Sequence, residues 1–121
     1  MSDTPLSMYG LAKCSTCVKA QQWLQQRGVQ VGFTDYREHP LPSDALLTYS
    51  RALGGWEKLV NRASMTWRNL PDARKNPGSD DEWLALIAEF PALVRRPLVL
   101  WPDGTVTTGF TEKKFLERLA A

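Results

Sequence analysis

The sequence predicts an α/β fold, a four-stranded mixed sheet with a helical insertion between a β-α-β half and a β-β-α half. Three observations carry that expectation. Apolar runs of strand length lie toward the two ends of the 121-residue chain. The residues between them recur at helical spacing. Neither end holds enough strands to build a core alone, so the two must pair with each other.

The elements follow in order. PLSMY, from Pro5 to Tyr9, is a short apolar run stopped by Gly10, a first strand leading into a turn. Val18, Ala20, Gln21, Trp23 and Leu24 recur near helical spacing, with Gly28 as the stop, so a helix begins close to Cys14. VQVGFTDY, Val29 to Tyr36, alternates Val29, Val31 and Phe33 with smaller or polar residues, a second strand. After Pro40 and Pro42, Ser43 is the expected N-cap of a helix ending at Gly54 and Gly55. WEKLVNRASMTWRNLP reads as a short helix and a loop, and the polar DARKNPGSDD connects it to a helix capped by Ser79. That helix sets Trp83, Leu84, Ile87 and Ala88 on one face. PLVLW, PDGT and VTTGF give a strand, a turn and a hairpin partner, and Thr111 caps a final helix, EKKFLERLAA. The arrangement is a thioredoxin-like sheet in a single domain, residues 1–121, with the helical insertion at about 42–92.

Composition narrows the class. An apolar share of 43% and a charged share of 23% are globular values. No run reaches the roughly 18 apolar residues of a membrane helix, and MSDTPLSMYG lacks the pattern of a secretory leader, which points to the cytoplasm and to no membrane partner. A net charge of +2 is no basic stripe, so no nucleic-acid contact is expected.

Both cysteines fall in CSTC, Cys14 and Cys17, after a strand and at the first turn of a helix. A bridge closing so short a loop would contribute only roughly 2 kcal/mol by chain entropy, so a structural staple is a weak reading. A closed zinc site wants four ligands, and two cysteines with the single histidine, His39, fall short. A redox pair has a mechanism. Cys14 sits where unpaired amides and the helix dipole favour an anion, Lys13 adds a positive charge beside it, and Cys17 one turn inside can resolve a mixed disulfide. In such a sheet the RRPLVLW loop faces the cysteine, with Arg96 before Pro97, itself a candidate cis proline. Arg62 and Arg68 lie in LVNRASMTWRNL; an arginine near a thiolate lowers its pKa and can bind a carboxylate or oxyanion. Trp23 and Trp83 read as core, Trp67 and Trp101 are open between core and pocket lining, and His39 reads as surface.

These stretches resemble the arsenate-reductase-like (ArsC) family, most closely its YffB and Spx branches. The resemblance runs from about Leu6 to Leu119 through YGLAKCSTCVKAQQWL, WEKLVNRASMTWRNL, FPALVRRPLVLW and TTGFTEKKF. It implies a nucleophilic cysteine assisted, in the true reductases, by three arginines, with glutathione and glutaredoxin as electron donors and no bound cofactor. Carried over, Cys14 is the nucleophile, and Arg62 and Arg96, with Pro97 and Lys13, bind glutathione or the substrate. The third arginine fails, since Gly109 and Phe110 stand there, and Gly10 holds the place of the histidine preceding the nucleophile in glutathione-dependent reductases. The resemblance therefore implies a glutathione-dependent thiol-disulfide reductase acting on a small oxyanion or protein disulfide, with arsenate reduction at most residual. Its alternative is an Spx-like redox-sensing regulator that binds RNA polymerase through a Cys14–Cys17 switch.

Overall fold

In the computed structural model, which describes residues 6–120, the first strand β1 (Leu6–Gly10) runs parallel to β2 (Val31–Asp35) and antiparallel to β3 (Leu98–Leu100). β3 continues into a hairpin with β4 (Val106–Thr108), and the sheet order is β2-β1-β3-β4. The predicted mixed sheet of four strands is thus the observed one. Pro5, the expected start of β1, lies outside the described residues.

The chain forms two compact units, one up to Asp35 and from Arg96 onward, the other Tyr36–Arg95. The first unit holds the sheet, α1 (Ser15–Gln26) and α6 (Glu112–Ala120). Alternation along β1 buries Leu6, Met8 and Gly10 and leaves Ser7 and Tyr9 partly exposed. Onto the row of Leu6 and Met8 pack Ala20, Trp23 and Leu24 of α1, with Val99, Trp101 and Phe115 completing the cluster. Burying an aliphatic side chain of this size contributes about 1.5–3 kcal/mol, and the rings add edge-to-face contacts, Trp101 to Phe115 at 5.1 Å and Phe110 to Phe115 at 4.7 Å. α1 ends where Gly28 adopts φ +74° while Val29 N donates to Leu24 O and Gly28 N to Gln25 O, the paired bonds that satisfy a helix's last carbonyls. At the other end Thr111 Oγ1 accepts from Lys114 N and starts α6 as expected.

The second unit is helical: α2 (Ser43–Leu53), α3 (Trp56–Leu59), α4 (Met65–Arg68) and α5 (Asp80–Glu89), with single turns at Asp72–Arg74 and Pro91–Leu93. Ser79 Oγ accepts from Glu82 N and caps α5. Trp56, Trp83 and Trp67 stack in that order, with centroids 6.1 and 5.9 Å apart.

Four details depart from expectation. Ser43 is the first helical residue rather than the cap, because Pro42 supplies the extended cap conformation and its carbonyl accepts from Leu46 N. The loop expected after WEKL contains α4, which Ser64 caps through its hydroxyl to Trp67 N. Val18 is exposed, since on α1 it shares a stripe with the exposed Gln22 and Gln25. On α5 the buried face is Trp83, Leu86 and Ile87, while Ala88 is exposed.

Candidate redox site at the tip of α1

The site grows from the junction of β1 and α1. The chain leaves the sheet at Gly10, turns through Leu11–Lys13, and enters the helix with Cys14 as the N-cap, its backbone extended at φ −75° and ψ 122°. Asp35, at the end of β2, accepts from Ala12 N at 3.0 Å and fixes the turn. Cys14 N donates to Leu11 O, and Val18 N donates to Cys14 O as the first bond of the helix. A cap residue points its side chain at the helix's unpaired amides. Here that side chain is a thiol.

Cys14 is half-buried and Cys17 fully buried, and neither is in a disulfide. Burial opposes ionisation of Cys14, but hydrogen bonds from the Cys17 amide, the Arg96 side chain, the Cys17 thiol and the Thr16 amide outweigh it, so its pKa lies below the ordinary value. For Cys17 burial dominates and pushes the thiol up to about 11; the negative charge of Cys14 adds to the rise, against a backbone hydrogen bond from Leu11 and the positive charge of Arg96. The two thiols are thus pushed apart, Cys14 toward its charged form and Cys17 toward its neutral one, which keeps a proton to offer the Cys14 sulfur.

Arg96 stands two residues before the start of β3, the strand paired with β1, and the Arg96–Pro97 peptide is cis, as expected of the candidate cis proline. Pro97 is buried and its carbonyl accepts from Gly109 N at 2.9 Å. The structure therefore brings Cys14, Cys17, Arg96 and Pro97 to one end of the sheet. Lys13 is exposed, and the groups that lower the Cys14 pKa are Cys17, Arg96 and Thr16. Arg62 belongs to the helical unit, exposed in the turn between Val60 and α4. His39 is exposed. Trp67 and Trp101, left open by the sequence, both belong to cores: Trp67 stacks on Trp83, and Trp101 is buried with its indole N–H donating to Thr107 Oγ1 at 2.8 Å. No group of three or more metal-ligating side chains occurs among the described residues, and no helix there is long and apolar enough to cross a membrane.

The amides of Thr16 and Cys17 are the helix-start donors expected around Cys14. One contributor escaped the sequence. Asp35 braces the turn from 23 residues away, visible only once β1 and β2 are paired.

The geometry has relatives. An uncharacterised protein of Haemophilus influenzae is 37% identical over 110 residues, covering 91% of this chain and 95% of its own. A Bacillus cereus protein named global transcriptional regulator Spx 2 is 28% identical over 92% of this chain and 86% of its own. Among solved structures, the YffB protein matches with a TM-score of 0.81 at 28% identity, over 93% of this chain and 96% of that one. The model of the ArsC family matches residues 9–118, from the strand before the cysteines to the last helix, and the chain belongs to that family.

Proposed function

We propose that this protein is a glutathione-dependent thiol-disulfide reductase acting through Cys14. The observation that carries this reading is the N-cap thiol, partly open to solvent at the start of α1, whose pKa is held below the ordinary value by Arg96 and the first amides of the helix. A thiolate is the attacking species in disulfide exchange. Cys14 attacks one sulfur of a disulfide, the S–S bond breaks, and the departing thiolate takes a proton. Cys17, or a second glutathione, then attacks the Cys14 sulfur and frees the first product. Arg96 suits the carboxylates of glutathione or an oxyanion through its planar fork; the family resemblance gives Arg62 the same task and Lys13 a supporting charge. Glutathione, with glutaredoxin, restores the reduced pair in the cytoplasm. No bound cofactor is required. Gly109 and Phe110 where the reductases hold a third arginine leave arsenate a poor substrate.

The similarity to an Spx regulator favours a second reading, in which a Cys14–Cys17 disulfide alters a surface read by RNA polymerase. Mass spectrometry after incubation with oxidised glutathione separates the two. A glutathione adduct on Cys14 supports the reductase; an internal disulfide with no adduct at any time supports the switch; no change in mass removes both.

A further inference from the structure

Along β1 the buried row is Leu6, Met8, Gly10. The first two fill their places with side chains in the core cluster, and the third leaves its place empty. A Cβ built on Gly10 would stand 2.5 Å from Cys17 Sγ and 3.6 Å from Cys17 Cβ, whereas Phe33 Cε1, at 3.5 Å, is in ordinary contact. Real Cβ atoms essentially never approach a neighbour closer than 3.0 Å. Backbone conformation does not require this glycine. Gly28, Gly54, Gly104 and Gly109 all have positive φ and open space where a Cβ would go, while Gly10 is an extended strand residue outside that region. Those four are glycines for their dihedral angles, and Gly10 is a glycine for room. Cys17 occupies that room, with 0% of its surface exposed.

We propose that Gly10 is a positioning residue: its missing side chain is the seat of the Cys17 sulfur, and the seat holds the second thiol where it hydrogen-bonds to Cys14 and then closes a disulfide with it. The seat is a geometric fact of the β1–α1 junction; only its use in closure rests on the thiol-exchange reading above. With oxidised glutathione as oxidant the steps balance. The Cys14 thiolate attacks one glutathione sulfur, and the other half leaves as a thiolate. Cys17 gives its proton to solvent, its sulfur bonds to that of Cys14, and the second glutathione leaves as a thiolate. Two electrons pass from the cysteine pair to the glutathione disulfide. A residue with a Cβ at position 10 moves the Cys17 sulfur from its place in both the hydrogen bond and the closure step. A histidine there, as the family resemblance gives the glutathione-dependent reductases, competes with the Cys17 sulfur for the same volume.

The test is a pair of substitutions in two backgrounds, Gly10→Ala with Cys17 present and Gly10→Ala with Cys17→Ala, read by the pH profile of Cys14 alkylation with iodoacetamide. With Cys17 present, Gly10→Ala should move the alkylation midpoint upward, as Cys17→Ala alone should, and slow conversion of the Cys14–glutathione adduct to the internal disulfide about tenfold, as overpacked contacts do. In the Cys17→Ala background Gly10→Ala should change nothing further, because no sulfur is left to displace. An equal midpoint shift in both backgrounds, or an unchanged midpoint and closure rate with Cys17 present, overturns the proposal. Should Gly10→Ala alone fail to fold, recovery of folding in the double variant supports the seat, and failure of both overturns it. Absence of any glutathione adduct on the native protein would count against the reductase reading, while the alkylation midpoints would still decide the seat.

Discussion

At the tip of α1 Cys14 keeps part of its surface in solvent and has its pKa lowered by Cys17, Arg96 and Thr16, whereas one turn further in Cys17 has no exposed surface and lies against the bare end of β1. The residue type is the same and the two are three positions apart, yet the first is biased toward its charged form and the second toward its neutral one. What differs is depth along the helix. The first turn offers amides that nothing else satisfies; one turn on, those amides are spent within the helix and burial decides. A CxxC motif at a helix start therefore gives two like residues opposite protonation tendencies.

The sharpest way to break this asymmetry is to remove the charged partner. Cys14→Ser should abolish the glutathione adduct and lower disulfide-reductase turnover by at least about a thousandfold, the scale on which loss of a nucleophile acts. Cys17→Ser should keep the adduct and let it accumulate, because the internal resolving step is gone. Mass spectrometry of the two variants side by side checks both; an adduct on Cys14→Ser, or equal behaviour of the two, would dissolve the distinction.

Much of this asymmetry was legible in the sequence because its determinants are local. CSTC follows a strand and opens a helix, so the N-cap position of Cys14 and the interior position of Cys17 came from spacing alone. The hairpin of β3 and β4 was legible through its Pro-Asp-Gly turn. What was not legible depends on contacts made across sequence distance. The seat at Gly10 needs β1 and α1 already packed, and a glycine closing a strand run looks like any turn signal. Val18 and Ala88 misled because an apolar residue adjoining a buried one belongs to the neighbouring stripe, 100° round the helix. Trp101 was ambiguous because an indole next to a pocket motif serves core and lining equally well, until its N–H is seen to bond Thr107 within the sheet's own unit.

A second, smaller effect sharpens the comparison from the cationic side. Arg96 donates a hydrogen bond to Cys14 and acts on Cys17 only through its charge. Arg96→Met removes both influences; Arg96→Lys keeps the charge and loses the fork. Alkylation of Cys14 at neutral pH should slow by roughly an order of magnitude in Arg96→Met, the scale of one charge-assisted hydrogen bond, with Arg96→Lys between it and the native protein. Identical rates in all three proteins would show that the helix amides alone hold the thiolate.

The smallest effect is on stability, and its sign separates the two sulfurs. Cys17 has a folded pKa of about 11 against an ordinary 9.0, so its neutral thiol stabilises the fold fully below about pH 9, and that contribution is lost as pH rises toward 11. Cys14 runs the other way: its folded pKa is lowered, so its contribution is complete above the ordinary value and is lost as pH falls through the lowered one. Between pH 9 and 11 the cysteine-dependent slope therefore belongs to Cys17. Urea unfolding of the native protein and of Cys17→Ala across that window should show the variant about 1 kcal/mol less stable at pH 8, from the lost buried sulfur, with the gap narrowing as pH rises. Every residue other than position 17 is common to both proteins, so curves that stay parallel to pH 11 would mean that the inner thiol ionises as readily folded as unfolded, and the contrast between tip and seat would lose its electrostatic half.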